Sequence, residues 1–179
     1  MPRRAFRGAA AGGRALMTGT DAPAPPATIH AGCVLVDEAG ILIRGPSGAG
    51  KSRLAQALIA GAQASGRFAR LVSDDRCCVR ACNGRLVVRP PAVLAGLLEV
   101  RGIGIVRTET EGAAVVRLVV DCEAELPERY PQSTDRTVTV AGISLPRIRV
   151  SCGDSSTTAA VVLGMLGRIE RPMLHLLTE

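Results

Sequence analysis

A glycine-rich motif constrains this chain more than any other feature of its sequence. The motif runs Gly45-Pro46-Ser47-Gly48-Ala49-Gly50-Lys51-Ser52 and matches the phosphate-loop pattern G-x4-G-K-[ST] at every required position. Residues 41–44 before it are apolar enough for a strand, and residues 52–62 after it have the spacing of a helix with one apolar face. A strand, a glycine turn and a helix in this order predict a nucleotide-binding site.

Each residue type in the motif suits the binding of phosphate. Glycines let the backbone turn so that N–H groups converge on an anion, and the helix N-terminus adds partial positive charge. Lys51 is expected to neutralise the outer phosphates, and the hydroxyl of Ser52 is expected to bind Mg²⁺. Lys51 is also the single lysine among the 22 Lys and Arg residues of the chain.

Composition narrows the class of protein. A chain of 179 residues with 47% apolar residues suits one globular domain. The net charge of +6 comes largely from Arg3, Arg4, Arg7 and Arg14 in a segment without acids, and aromatic residues make up only 2%. Bases would therefore have little to stack on, and no apolar run reaches the roughly 18 residues that span a bilayer. We expect a soluble protein that binds neither nucleic acid nor a membrane.

The six cysteines are expected to be free thiols, because the N-terminal segment lacks the apolar stretch of a secretory signal. The spacing of Cys77, Cys78 and Cys82 is wrong for a zinc knuckle, so packing is favoured over a metal–thiolate site. The other three are Cys33, Cys122 and Cys152.

Two adjacent acids, Asp74 and Asp75, follow a predicted buried strand over 68–73. An acid at the carboxyl end of a strand neighbouring the loop strand can hold Mg²⁺ or position a nucleophile. One acid suffices for a metal, so the second suggests proton acceptance. Ordinary turn chemistry is the alternative.

Two further features are weak on their own. The segment Glu99-Val100-Arg101-Gly102-Ile103-Gly104 places an acid and a base on one side of an extended chain, with glycines that allow close backbone approach. A surface strand with an ion pair would look similar. His30 lies near the start of a predicted strand over 29–37, where a packed or capping histidine is favoured over a catalytic one.

The rest of the sequence predicts more strands than helices. The expected elements are a hairpin around Asn83-Gly84, a strand over 114–121, a hairpin over 138–150 and a final helix over 157–169 capped by Asp154 or Ser155. Val161, Val162, Met165 and Leu166 are expected to cover the sheet.

In combination these motifs resemble the catalytic domain of HPr kinase/phosphorylase. The order and spacing of His30, GPSGAGKS, LVSDDR (71–76) and EVRGIGIV (99–106) carry the resemblance, and the last segment discriminates best. The resemblance covers about 29–160. It implies an α/β, P-loop-containing, phosphoenolpyruvate-carboxykinase-like nucleotide-binding fold with a strand-rich mixed sheet. It also implies phosphorylation of a serine on HPr, the phosphocarrier protein of the bacterial sugar phosphotransferase system.

The resemblance implies a role for each matching residue. Gly45 to Ser52 would bind ATP, and Ser52 and Glu99 would bind Mg²⁺ with Asp74 nearby. Asp75 would take the proton from the substrate serine, with His30 and Lys51 assisting near the transferred phosphate. The segment from Glu99 to Gly104, which contains Arg101, would order the site.

It also suggests a domain plan, a location and an assembly. We expect a disordered tail over 1–28, an HPr kinase-like catalytic domain over 29–170 and a C-terminal tail over 171–179. This would be a short version without the family's large N-terminal domain. The resemblance further implies a cytoplasmic homo-hexamer, with Arg101 and the Ser151–Thr157 loop as candidates for docking HPr.

One departure from the family and two alternative functions remain. An arginine that the family uses in the reverse reaction has no counterpart in the stretch from 150 to 157, where Ser156 stands in its place, so efficient phosphorolysis is not expected. A small-molecule P-loop kinase would need an arginine-bearing lid, and none is evident. A non-catalytic, ATP-responsive regulatory module would not need Asp75.

Overall fold

The structure, a computed structural model, describes residues 27–92, 96–100, 102, 104–107, 109–123 and 136–170, with only the backbone for 97–100, 105 and 170. Arg101, Ile103 and nearly all of the two predicted tails lie outside these residues. The strands are β1 (Ala27–Ile29), β2 (Ala31–Val36), β3 (Ala39–Arg44), β4 (Ala69–Ser73), β5 (Cys77–Cys82), β6 (Arg85–Arg89), β7 (Leu97–Val100), β8 (Gly104–Arg107), β9 (Ala114–Glu123), β10 (Thr137–Val140) and β11 (Ile143–Ser151). The helices are α1 (Lys51–Ala64) and α2 (Ser155–Glu170).

Within the described residues, the strands form a mixed nine-stranded sheet and a separate hairpin of β7 and β8. The main path runs β1-β5-β6-β9-β3-β2-β4, and β11 pairs with both β9 and β10. β9 runs parallel to β3 and to β11, whereas the other pairings are antiparallel. The predicted strand-rich mixed sheet is therefore confirmed.

The central strands are buried on both faces. Ile41 and Ile43 of β3 face a core shared with both helices, while Leu42 faces a second core beneath the β5–β6 hairpin. This arrangement explains why β2, β3 and β9 read as continuous apolar runs instead of alternating patterns. The two cores hold the central strands in place, and the loops at their ends carry the site.

The predicted strand over 29–37 is wrong in one important detail, because it breaks at His30. β1 ends at Ile29 and pairs with β5, whereas β2 begins at Ala31 and pairs with β3 and β4. His30 forms a bend between two pairings and is exposed, so the prediction of a packed histidine is also wrong.

α2 packs against α1 and contributes Val162 and Leu166 to the core. Its N-terminus is capped by Asp154, whose Oδ1 accepts hydrogen bonds from the backbone N–H groups of Ser156 and Thr157. Val161 was expected on the packed face but is 53% exposed, because it follows the helix round to the solvent side. No helix in the described part of the chain has the length and apolar character to cross a membrane.

Candidate active site

The phosphate loop connects the end of β3 to the first residue of α1, as the motif predicts. Gly45, Gly48 and Gly50 have φ values of 145°, 80° and 94°, which side chains other than glycine rarely adopt. Nothing lies within 4 Å of the point where a Cβ on Gly48 would stand, so the middle of the loop is open. The open loop at a helix N-terminus fits a phosphate group.

Lys51 lies inside the loop and is only 6% exposed. Its Nζ donates hydrogen bonds to the carbonyl oxygens of Gly45 at 3.0 Å and Pro46 at 2.9 Å, and lies 2.9 Å from Nε2 of His30. An ammonium group has three donors and no acceptor, so all three donors of Lys51 have a partner. The loop thus holds its cation in place through its own backbone.

His30 connects Lys51 to Asp75. Because the ammonium can only donate, Nε2 of His30 accepts and the proton of the neutral ring lies on Nδ1. Nδ1 is 3.1 Å from Oδ1 of Asp75, which leaves that carboxylate oxygen as an acceptor. The side chain of Asp75 is still 66% exposed, so its free oxygen can reach an incoming group.

The backbone around Asp75 fixes the direction of its carboxylate. Asp75 has a φ of 63°, its carbonyl accepts a hydrogen bond from the N–H of Ala31, and the N–H of Arg76 donates to the carbonyl of Asp74. The two acids therefore do form a turn, as the alternative interpretation held. That turn separates the two side chains, so that each faces a different partner.

Asp74 faces the phosphate loop. Its Oδ1 accepts a hydrogen bond of 2.9 Å from Oγ of Ser52. Burial raises the pKa of Asp74 above its ordinary value, and the charge of Asp75 adds to the rise, while the bond from Ser52 opposes it. A hydroxyl and a carboxylate oxygen are the ligands that Mg²⁺ prefers, so this pair fits the metal.

The route by which Asp74 reaches the loop differs from the prediction. The acid was predicted to follow a strand next to β3, but β2 lies between β3 and β4. Because β2 is antiparallel to both, β3 and β4 run in the same direction and end at the same edge of the sheet. The shared edge brings Asp74 to Ser52.

Two cysteines that lie against the phosphate loop form a disulfide bond, so the prediction of six free thiols is wrong. Cys122 at the end of β9 is bonded to Cys152 after β11, with Cα atoms 5.8 Å apart. The parallel register of these strands puts Val150 opposite Cys122, and Cys152 follows two residues later. Cys33, Cys77, Cys78 and Cys82 are free, as predicted.

The two ends of the loop lie against the two cysteines of this disulfide. A Cβ added to Gly45 would stand 2.5 Å from the carbonyl oxygen of Cys122, and one added to Gly50 would stand 3.1 Å from Cβ of Cys152. Only glycine lets the loop backbone lie this close. This contact was not predicted, because no local signal in the sequence pairs residues from two distant strands.

A second missed feature is an ion-pair network beside Gly45. Asp121 on β9 accepts hydrogen bonds from Nε of Arg44 at 2.7 Å and Nε of Arg147 at 2.6 Å. Burial alone would raise the pKa of Asp121, but the bonds and charges of Arg44 and Arg147 outweigh it and hold the pKa below its ordinary value. Arg44 is the last residue of β3 and directly precedes the loop, so the network holds the end of β3 in place.

Within the segment from Glu99 to Gly104, Glu99 and Val100 end β7 and Gly104 begins β8, where Val100 pairs with Gly104. The structure describes only the backbone of Glu99 and Val100, and Arg101 and Ile103 lie outside the described residues. In the rest of the described chain, no three His, Cys, Asp or Glu side chains gather as a metal centre. The predicted roles of Glu99 and Arg101 remain predictions.

The phosphate loop, the acids at the same sheet edge and the mixed sheet define a P-loop domain of the nucleotide-binding class. The chain belongs to the family described as the HPr Serine kinase C-terminal domain, whose model matches residues 22–165. This membership confirms the resemblance that the motifs indicated.

Individual relatives agree with the family assignment. The chain is 35% identical over 146 residues to an HPr kinase/phosphorylase of Enterococcus faecalis, covering 75% of this chain and 45% of the relative. It is 33% identical over 150 residues to an HPr kinase/phosphorylase of Limosilactobacillus reuteri, covering 78% of this chain and 45% of the relative. The chain thus spans less than half the length of these relatives.

A solved structure resembles the fold. The Hpr(Ser) kinase/phosphatase from Coxiella burnetii matches with a TM-score of 0.66 and 27% sequence identity, covering 81% of this chain and 99% of that chain. The two proteins therefore share a fold.

Proposed function

We propose that this protein is an ATP- and Mg²⁺-dependent serine kinase that phosphorylates HPr, the phosphocarrier protein of the sugar phosphotransferase system. The observation that carries the proposal is the contact between Asp75 and His30, 3.1 Å long, at the mouth of a phosphate loop that contains Lys51. A protein that only bound nucleotide would have no use for an exposed, oriented carboxylate at this point.

Asp75 acts as the proton acceptor for the substrate serine. A hydroxyl is a poor nucleophile, and a positioned base typically contributes about 10²- to 10⁴-fold to the rate. His30 donates from Nδ1 to one carboxylate oxygen and leaves the other free to take the proton. The exposure of Asp75 suits a substrate that arrives as a loop on another protein.

Residues of the phosphate loop hold the nucleotide. When bound, ATP supplies the phosphoryl group and Mg²⁺ neutralises its charge. Backbone N–H groups between Gly45 and Gly50, where Pro46 alone has none, would donate to the phosphates, and Lys51 would turn its ammonium from the loop carbonyls to them. Ser52 and Asp74 would hold the metal, with Glu99 of β7 as a further ligand.

The reverse reaction is expected to be weak. Phosphorolysis requires an orthophosphate beside the nucleotide, and a second anion needs an additional cation. Residues 151–157 contain no arginine, and Ser156 stands at the N-terminal end of α2. We therefore assign the kinase direction as the principal activity.

Four further properties complete the proposal. The protein works in the cytoplasm as a homo-hexamer, and it binds neither nucleic acid nor a membrane. Arg101 and the Ser151–Thr157 loop contact HPr. Light scattering of the purified protein tests the assembly, since a hexamer and a monomer differ sixfold in mass.

Mass spectrometry of HPr after incubation with this protein, Mg²⁺ and ATP tests the activity. We expect one phosphoserine with the unchanged protein and a loss of at least about 100-fold in rate with Asp75→Asn. Asp37→Asn is the matched control, because Asp37 forms an ion pair with Arg67 far from the loop. The control should transfer phosphate at the normal rate.

Three outcomes would contradict the proposal in different ways. Tight ATP binding without transfer to HPr would favour the regulatory module. Transfer to a metabolite in place of HPr would favour a small-molecule kinase. Full transfer by Asp75→Asn would remove Asp75 from the role of base.

A further inference from the structure

The Cys122–Cys152 disulfide lies where a change in its oxidation state would reach the phosphate loop directly. The two cysteines are 1% and 4% exposed and belong to the core that the sheet shares with α1 and α2. Cys122 lies against Gly45, and Cys152 lies against Gly50. The first and the last glycine of the loop therefore each lie against one of the two bonded cysteines.

Cys152 is also joined to the start of α2. Its carbonyl oxygen accepts a hydrogen bond from Oγ of Ser155 at 3.2 Å, and the carbonyl of Ser151 accepts one from Oγ1 of Thr158 at 2.9 Å. A shift of Cys152 would be transmitted both to Gly50 and to the N-terminus of α2. The bond thus connects β9, the loop and the second helix.

Reduction must change these contacts. Two thiols cannot approach as closely as two bonded sulfur atoms, so Cys122 and Cys152 move apart when the bond is cut. Protein cores are close-packed, so neighbouring groups must shift to accommodate the movement. The carbonyl of Cys122 already leaves no space beside Gly45.

We propose that Cys122 and Cys152 form a reversible thiol–disulfide modification site that sets the nucleotide affinity of the phosphate loop, with the disulfide form binding more tightly. This inference rests on the proposed nucleotide site. The disulfide holds Gly45 and Gly50 in the binding geometry before nucleotide binds. Less conformational entropy is then lost on binding. In a reducing compartment, disulfides are usually transient and redox-sensing.

The chemistry balances with an ordinary thiol. One thiolate attacks a sulfur atom of the protein disulfide and forms a mixed disulfide, with one cysteine leaving as a thiolate that takes a proton. A second thiol releases the other cysteine, so the protein gains two electrons and two protons while two thiols become one disulfide. A small-molecule disulfide drives the reverse direction.

Two of the free cysteines are poor competitors in this exchange. Burial raises the pKa of the Cys77 thiol to about 12 and that of Cys33 well above its ordinary value. Thiols that remain protonated attack disulfides slowly. Cys78 and the exposed Cys82 are more accessible and need a control.

The test measures the dissociation constant of MgATP by calorimetry on the full chain, oxidised with glutathione disulfide or reduced with dithiothreitol. We expect affinity at least about fivefold weaker after reduction, which is the lower end of typical coupling between sites. Alkylation and mass spectrometry verify the state of each cysteine. The double variant Cys78→Ser/Cys82→Ser should respond as the unchanged chain does, whereas Cys152→Ala should bind weakly in both conditions.

Coupling must be reciprocal, and this gives a second readout that needs no variant. MgATP should favour disulfide formation in a dithiothreitol redox buffer by the same factor of about five, or about 20 mV for two electrons. Equal affinity in both states would overturn the inference and leave the proposed function intact. Absence of MgATP binding in both states would instead remove the nucleotide site itself.

Two other results would also overturn the inference. One is failure of glutathione disulfide to re-form the Cys122–Cys152 bond in the reduced protein. The other is loss of the far-ultraviolet circular dichroism of the whole fold on reduction, because the effect would then be global unfolding and not a change in the loop.

Discussion

Nζ of Lys51 lies 2.9 Å from Nε2 of His30, and this contact joins the phosphate loop to the acid at its mouth. The other ring nitrogen of His30 is 3.1 Å from Asp75. Because Lys51 donates to Nε2, the ring N–H lies on Nδ1. Nδ1 in turn binds Oδ1 of Asp75 and leaves Oδ2 free. His30, which makes both contacts, is also the residue at which the chain bends between β1 and β2.

Replacing His30 should affect the chemical step more than nucleotide binding. His30→Ala removes the donor that orients Asp75, while Lys51 keeps its bonds to two loop carbonyls. We expect kcat for HPr phosphorylation to fall by about 100-fold with a much smaller change in KM for ATP. His30→Gln, which retains a donor and an acceptor, should recover part of kcat. A large rise in KM with unchanged kcat would contradict this role.

Adding one methyl group to Gly45 should disrupt the loop. In Gly45→Ala the new Cβ would stand 2.5 Å from the carbonyl oxygen of Cys122, in addition to the strain of a φ of 145°. Gly66→Ala is the matched control, since its φ of 72° is also unfavourable but the space around it is open. We expect Gly45→Ala to lower the free energy of unfolding by about 1–3 kcal/mol more than the control does.

Urea unfolding and MgATP calorimetry on the two variants check this prediction. The control should bind MgATP normally, because Gly66 lies beyond the end of α1. Equal stability of the two variants would show that the loop can move away from Cys122 at no cost.

Asp121 should make stability depend on acid pH. Its pKa is held below its ordinary value in the folded protein, so its contribution is complete above the unfolded pKa of about 3.9 and is lost as the pH falls through the folded pKa. Asp121→Asn should lower the free energy of unfolding at pH 7 by about 1–3 kcal/mol. The difference from the unchanged protein should shrink towards pH 3. A constant difference across this range, measured by urea unfolding, would argue against the ion-pair network.

Two adjacent valines of α2 should respond unequally to the same substitution. Val162 is fully buried in the core shared by the sheet and both helices, whereas Val161 is 53% exposed. Val162→Ala should lower the free energy of unfolding by about 1–3 kcal/mol, and Val161→Ala should change it by less than about 0.5 kcal/mol. Thermal unfolding of both variants measures the difference. Similar losses would mean that Val161 is covered in the assembled protein.

The sequence was sufficient to predict those parts of the site that depend on local patterns. The phosphate loop, the hairpin around Asn83-Gly84 and a cap at Asp154 or Ser155 were all predicted, because residue types at short spacing determine them, and the cap is Asp154. The bend at His30 was not predicted. It arises because β1 pairs with β5 while β2 pairs elsewhere, and the apolar pattern is the same on both sides.

Apart from the bend at His30, the site features that were missed involve β9. Its parallel pairing with β3 and β11 creates the disulfide, the contact of Gly45 with Cys122 and the ion pairs of Asp121. Parallel partners are distant in sequence, and no spacing rule within one segment reveals them. The family resemblance did not predict these contacts either, because it was based on short motifs that all lie before β9.

The arrangement of these contacts along the chain has a consequence for the order of folding. The bonds from Lys51 to His30 and from Ser52 to Asp74 join residues 21 and 22 positions apart, whereas Arg44 and Asp121 are 77 positions apart. Closing the longer loop costs more chain entropy and slows the encounter. The contacts of Lys51 and Ser52 can therefore form early and locally. The ion pair between Arg44 and Asp121 forms only when β9 pairs with β3.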